Sequence, residues 1–200
     1  DVRTLRESRK IAEPFRLFDC SRENDGAGAL LLVASDLAKT LAKPPVYLLG
    51  CAQGSERGWG DLLENDDEAL FATAGMRGVA QRLYEQTGLA PADIDVVQLY
   101  ENFDAQGVMS LIDHGFCTYE SAPEFIRFEN LIADGGKLPV NTSGGNLAQG
   151  FIHGIGLPIE AVRQLRGESS NPVPGASTCL LAGGPGAPTV SSAIFANQIP

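Results

Sequence analysis

What most constrains this chain is an alternation. Apolar runs of strand length take turns with stretches of helical period, and glycine, proline or short polar clusters separate them. Residues 25–35 (DGAGALLLVAS), 46–54 (VYLLGCAQG) and 94–99 (IDVVQL) read as strands, the first of them buried. Residues 137–140 (KLPV) read as a short strand, and 176–184 and 189–197 as two strands joined hairpin-fashion by PGAP at 185–188. Helical stretches lie between them. Residues 36–43 form a short one with Asp36 at its start, closed by the prolines of a 43–45 linker. Residues 68–86 carry apolar positions at Leu70, Ala74, Val79, Leu83 and Tyr84, with Gly88 placed to end the helix. Residues 104–115 end at Gly115, 121–136 hold a further short helix, and 157–167 (LPIEAVRQLRG) form the last. Residues 54–67, with the single tryptophan Trp59, read as a polar surface loop, and Pro91 marks a short turn. Strands alternating with helices predict an α/β fold in which helices cover a mixed sheet.

Composition narrows the function. With 200 residues and 44% hydrophobic content the chain can build a real core. The formal charge of −10 argues against nucleic-acid binding, which needs clustered cations to displace counterions. No apolar run approaches the ~18 residues of a membrane span, and no signal peptide is evident. Cys20, Cys51, Cys117 and Cys179 are far apart and form no CxxC pair. They read as free thiols in a reducing cytoplasm. Two isolated histidines and scattered cysteines give no metal-ligand spacing. The chain opens on Asp1 inside an already patterned stretch, which suggests a fragment of something longer.

Three turns at strand ends could carry chemistry. LYENFDAQ (99–106) follows an apolar strand and groups Tyr100, Glu101, Asn102 and Asp104 around Phe103, where open α/β folds place ligands. The plainer reading is a solvated turn in which Asn102 or Asp104 caps a helix. VNTSGGNLAQGFIHG (140–154) is almost uncharged and holds His153. Gly144 and Gly145 permit positive φ and close backbone approach, but the stretch fits neither GxGxxG nor GK[ST]. It suits a loop whose N–H groups approach a reacting carbonyl better than a phosphate cradle. LLAGGPG (180–186), with Gly183 and Gly184, is either a third such approach or a tight turn between strands.

Taken in order, these motifs resemble the C-terminal half of the thiolase superfamily, its sterol-carrier-protein-X and lipid-transfer-protein branch in particular. NDGAGALLL resembles the strand that closes the first thiolase half, and GLAPADIDVVQLYENFDAQ the step into the NEAF-type motif. NTSGGNLAQGFIHGIGLP is similar to the NxxGG…GHPxGxxG loop, LLAGGPG stands where CxGGGxG falls, and IAEPFRLFDC is typical of the sterol-carrier branch. The resemblance implies a layered αβαβα fold with a mixed five-stranded sheet covered by helices. Residues 1–43 would end the N-terminal half and 44–200 would form the C-terminal half. It also implies a homodimer, and a nucleophile position in the absent N-terminal half.

Departures from the pattern point to a particular chemistry. The NEAF asparagine is Tyr100 here, the GHP histidine is Phe151 with His153 two residues on, and the acid/base cysteine falls at Leu180. Cys179 is one residue early and points to the opposite face of a strand. Phenylalanine and leucine can do no acid/base work, so Claisen chemistry is disfavoured. A phenol can donate to an oxygen or, lowered, accept a hydroxyl proton. The tyrosine and the IHG step resemble thiolase-like steroid side-chain aldolases, which work with an OB-fold, zinc-ribbon partner.

The expected function is therefore a lyase: retro-aldol cleavage of a β-hydroxyacyl-CoA with a bulky, steroid-like acyl group. The CoA thioester is the substrate and no cofactor is tightly bound. Tyr100 and His153 are the candidate catalytic residues. Glu101, Phe103, Asn146, Phe151, Gly144, Gly145, Gly183 and Gly184 are the candidate substrate contacts. The alternatives are a degenerate thiolase acyltransferase acting on β-ketoacyl-CoA and a non-catalytic acyl-CoA or lipid-binding subunit.

Overall fold

The computed structural model describes residues 1–55 and 73–199. Near the N-terminus, helix α1 (Val2–Glu7) precedes a small antiparallel pair, β1 (Lys10–Ala12) and β2 (Phe15–Arg16). After α2 (Ser35–Ala38) come β3 (Tyr47–Gly54), α3 (Arg77–Thr87), β4 (Val96–Leu99) and α4 (Asp104–Asp113). Three single-turn helices follow, α5 (Ala122–Phe125), α6 (Phe128–Leu131) and α7 (Gly145–Ala148). Helix α8 (Gly156–Leu165) and strands β5 (Thr178–Gly183) and β6 (Val190–Ala196) complete the order.

The main sheet runs β3-β6-β5-β4. β3 and β5 both pair antiparallel with β6, while β4 lies parallel to β5, with Leu99 opposite Ala182. Helices cover both faces. Val97, Leu99, Leu180, Ala182 and Ile194 pack with Val79 and Leu83 of α3 and Leu111 of α4. Val96 and Cys179 pack on the opposite face against Ala161 and Leu165 of α8. The two-residue period of the strand thus separates Cys179 from Leu180, as the sequence implies.

The mixed α/β architecture follows the alternation, but three details are corrected. Among the described residues the main sheet has four strands, not five, because 137–140 makes only a single bridge, Val140 to Val97. Pro139 lends its carbonyl to the Val97 N–H but has no N–H of its own to extend a ladder. Residues 25–35 are not a buried strand. Leu31 and Leu32 are 85% and 76% exposed, and no neighbouring strand among the described residues pairs with them. An apolar run becomes a buried strand only when another surface receives it.

The third correction concerns α3, which begins at Arg77 rather than near residue 68. Leu70 and most of the 54–67 loop, with Trp59, lie outside the described residues. Gly75 takes φ 76° and breaks the helical path, and Ala74 and Met76 point their N–H groups at the buried Asp113 carboxylate, 2.8 and 2.9 Å away. Thr73 Oγ1 and Arg77 Nε also donate to Asp113. Gly88 ends the helix at φ 70°, as its position predicts.

Asp113→Asn keeps the shape but removes the charge and one accepting oxygen from these donors. It is expected to cost about 1–2 kcal/mol. Urea denaturation of the two proteins, compared at equal slope, measures it.

Candidate active site

β4 and β5 end side by side, and the site grows from that edge. The Tyr100 N–H donates to the Ala182 carbonyl at 2.8 Å, which fixes the backbone just past β4. Asn141 then closes the other side. Its Oδ1 accepts the Leu99 N–H at 2.7 Å, and its Nδ2 donates to the Leu99 carbonyl at 3.0 Å. The side chain thereby mimics a neighbouring strand, and the backbone turns away at φ 47°, a conformation asparagine tolerates. A second brace lies beneath. Glu160 of α8 is buried and accepts hydrogen bonds from Thr142 and Ser169, both at 2.7 Å, while Thr142 also receives Gln98.

Held at both points, the loop from 141 to 154 folds over Tyr100. The Tyr100 ring meets Phe151 edge-on with centroids 6.0 Å apart, and His153 at 6.2 Å. Phe151 and His153 lie 5.5 Å from each other, so the three rings form one cluster. Tyr100 and Phe151 are half-buried and His153 is exposed, its backbone at φ 58°. Gly154 makes the approach possible, since a Cβ there would stand 2.6 Å from the Tyr100 ring. Desolvation, and then the charge of Glu101, push the Tyr100 phenol above its usual value. Tyr100 is therefore a proton donor at neutral pH. The lowered phenol that would accept a proton is not what this environment produces.

Glu101 points the other way along the chain, into the start of the loop. Its Oε1 accepts the N–H groups of Asn146 at 2.9 Å and Leu147 at 3.4 Å. Gly145, at φ 58°, leaves room for that carboxylate: a Cβ would lie 1.9 Å from Oε1. Gly144 at φ 99° caps α7 and turns the chain toward it. Burial raises the Glu101 carboxyl to about 7 against the pull of these hydrogen bonds.

The remaining candidates are spread more widely. Gly183 and Gly184 follow Ala182 directly and so border Tyr100, but they also make the turn into β6, where Ala187 N–H returns to the Gly184 carbonyl. Phe103 turns to the N-terminal segment, meets the Phe15 ring at a tilt with centroids 5.6 Å apart and is 39% exposed. It does not join the ring cluster.

That N-terminal segment is the part sequence reasoning passed over. Ser21 donates to the Asn102 carbonyl at 2.8 Å, and Asn24 Oδ1 accepts the Phe151 N–H at 3.0 Å. An open cavity of about 310 Å³ lies between the two segments, lined by Glu23, Asn24, Gly26, Phe151, Ile152 and His153. Gly26 packs so closely on Ile152 that a Cβ would sit 2.6 Å from its Cγ2. Cys179 is fully buried, and its thiol is held far above its normal range by desolvation and by Glu160 and Asp95. It cannot serve as a thiolate. Among the described residues no cluster of three or more His, Cys, Asp or Glu side chains could hold a metal, and no helix is long and apolar enough to cross a membrane.

This arrangement has relatives. A family model described as thiolase C-terminal domain-like matches residues 62–196. The chain is 40% identical to a 17-hydroxy-3-oxo-4-pregnene-20-carboxyl-CoA lyase of Mycobacterium tuberculosis over 91% of its own length and 47% of that protein's. It is 39% identical to a steroid side-chain-cleaving aldolase of Thermomonospora curvata, over 91% of this chain and 46% of the other. A solved structure described as Ltp2-ChsH2(DUF35) aldolase superposes with a TM-score of 0.92 at 37% identity, covering 98% of this chain and 51% of that one. The chain thus spans about half the length of the relatives it matches. With the family model spanning most of its residues, the chain belongs to the thiolase C-terminal domain-like family.

Proposed function

We propose that this chain supplies one half of a thiolase-like lyase that cleaves a β-hydroxyacyl-CoA by a retro-aldol reaction. The observation that carries the reading is the Tyr100 phenol, kept protonated against the apolar ring of Phe151 where a thiolase would place acid/base groups. Retro-aldol cleavage loses the hydroxyl proton, breaks Cα–Cβ and leaves a thioester enolate. A preorganised O–H donor stabilises that enolate without any covalent intermediate. Tyr100 donates to the thioester oxygen, His153 borders the substrate on the exposed side, and Phe151 keeps the pocket apolar. The carboxyl-CoA lyase and side-chain aldolase relatives support a bulky, steroid-like acyl group.

The rest of the assembly follows from the same reading. Residues 1–43 close the N-terminal half and 44–200 form the C-terminal half, which accords with the small β1–β2 pair standing apart from the main sheet. The enzyme works as a homodimer in the cytoplasm, with an OB-fold, zinc-ribbon partner. The solved relative, whose name joins Ltp2 to ChsH2, supports a partner of some kind. Free Cys20, Cys51, Cys117 and Cys179 suit a reducing compartment.

The experiment uses the full-length enzyme with a β-hydroxyacyl-CoA bearing a tertiary hydroxyl. Ketone and shortened acyl-CoA are expected in equal amounts, at a rate that free CoA does not change. Cleavage that requires added CoA would replace the lyase by an acyltransferase.

A further inference from the structure

Two of the three clustered rings, Phe151 and His153, also line the cavity of about 310 Å³, so the ring cluster and the cavity share a wall. Glu23, Asn24 and Gly26 form the facing wall. Their segment is laid against the loop residue by residue. The Glu23 backbone runs parallel to Phe151 in an isolated bridge, and Asn24 Oδ1 accepts the Phe151 N–H at 3.0 Å. Gly26 faces Ile152, and Gly28 faces Ile155 and Ile159 at the start of α8.

The loop needs such a hold. Its own bonds around Phe151 are long: the Gly150 N–H reaches the Gly145 carbonyl at 3.4 Å, and the Ile155 N–H reaches the Ile152 carbonyl at 3.5 Å. Both are weaker than a hydrogen bond of ordinary length. His153 adds a left-handed backbone at φ 58°, which a residue other than glycine keeps only where its surroundings hold it. The Asn24 bond is shorter than either, and it falls on the residue whose ring meets Tyr100 edge-on. Asn24 itself is exposed, and an exposed side chain adds little to global stability. Its effect is local: it sets where Phe151 stands.

We propose that Asn24 is a positioning residue for substrate choice, which holds the Phe151 backbone, sets the width of the cavity beside Tyr100, and so selects a rigid, ring-bearing acyl group over a linear one. This rests on the lyase reading above. The cavity, at about 310 Å³, stands at the small end of ligand pockets, so it takes part of the acyl group rather than all of it. A pocket of that size is sensitive to where its wall lies, since one methylene of misfit against an apolar surface changes discrimination by about 10- to 200-fold. A rigid ring system cannot adjust to a displaced Phe151, whereas a linear chain can. Loss of the hold therefore weighs on the bulky substrate. Asn24 acts through Phe151 and touches no reacting atom.

The test uses the full-length enzyme as wild type, Asn24→Ala and Asn24→Asp, with two β-hydroxyacyl-CoA substrates, one polycyclic and one linear in its acyl group. The readout is the ratio of their kcat/KM values. A partly unfolded preparation leaves that ratio unchanged, because both substrates meet the same active fraction. Asn24→Ala is expected to lower the preference for the polycyclic substrate about tenfold or more, while Asn24→Asp, which keeps an accepting oxygen, stays within about threefold of wild type. In a Phe151→Ala background the Asn24→Ala change should move the ratio by less than about threefold. An unchanged ratio in Asn24→Ala would overturn the proposal. So would an Asn24→Asp ratio as low as that of Asn24→Ala, or a full effect that persists without the Phe151 ring. Calorimetric titration with the corresponding saturated acyl-CoA thioesters, which lack the hydroxyl, reads the same preference as a ratio of Kd values. Wild type that releases no ketone sinks the lyase reading, and the Kd ratio, expected to fall in Asn24→Ala, still decides this inference. Intact cleavage with both ratios unchanged sinks this inference alone.

Discussion

Tyr100→Phe in the full-length enzyme is expected to lower kcat for ketone release by about 10²- to 10³-fold, with KM within about threefold of wild type. The ring stays, so its packing on Phe151, His153 and Gly154 stays too. Only the O–H is lost, and an interaction made chiefly with a developing oxyanion shows in kcat rather than in KM. The pH profile gives the same residue a second signature. Desolvation and the Glu101 charge raise the phenol, so the proton that Tyr100 donates remains in place as pH rises past the ordinary tyrosine range near 10. Activity should therefore show no fall attributable to Tyr100 below about pH 10. A Phe variant with unchanged turnover would remove Tyr100 from the chemistry.

Gly145→Ala is expected to destabilise the protein by about 2–4 kcal/mol and to abolish cleavage, because two penalties fall on one atom. The backbone sits at φ 58°, which disfavours any Cβ, and that Cβ would stand 1.9 Å from Glu101 Oε1 and 2.7 Å from Asn141 Nδ2. Neither neighbour can give way easily. Glu101 holds the Asn146 N–H, and Asn141 holds both polar groups of Leu99. Gly88→Ala is the control. Its φ is 70°, yet a Cβ there meets nothing within 4 Å, so it carries the backbone cost alone, about 1–2 kcal/mol. Thermal denaturation of the two variants separates strain from collision. Equal losses would mean that the loop yields to the added methyl group without disturbing Glu101.

Much of the fold was legible because period and punctuation agree in it. β3, β4, β5, β6, α4 and α8 fall where apolar spacing and glycine stops place them. Where the reading failed, tertiary contact decided. Asp113, some 40 residues away in sequence, draws the Thr73–Met76 backbone out of the helical path that its apolar spacing suggests. Leu31 and Leu32 look like core and are exposed, since burial depends on a receiving surface that no local pattern encodes. Pro139 was a visible signal against a strand at 137–140 and was outweighed by its apolar neighbours.

The site was legible in a different way. Tyr100 and Phe151 were recognisable as residues standing where a known motif has others, with His153 two residues past the motif's histidine, and the structure gathers all three into one cluster. Glu101 and Asn146 were named without a hint that they bond to each other, because their partnership runs through backbone N–H groups, which every residue has. Asn24 and Glu23 could not be found at all. They reach the site from a stretch more than 120 residues away, and the resemblance of NDGAGALLL to a strand says nothing of a contact with Phe151.

The central claim is that bond cleavage here needs no acyl-enzyme. Intact-protein mass spectrometry of the full-length enzyme during turnover tests it most directly, with β-hydroxyacyl-CoA and β-ketoacyl-CoA offered in parallel. The expected result is an unmodified protein mass throughout, ketone released from the hydroxyacyl substrate, and no cleavage of the ketoacyl substrate. An acylated cysteine that forms on the ketoacyl substrate and is discharged by free CoA would contradict it.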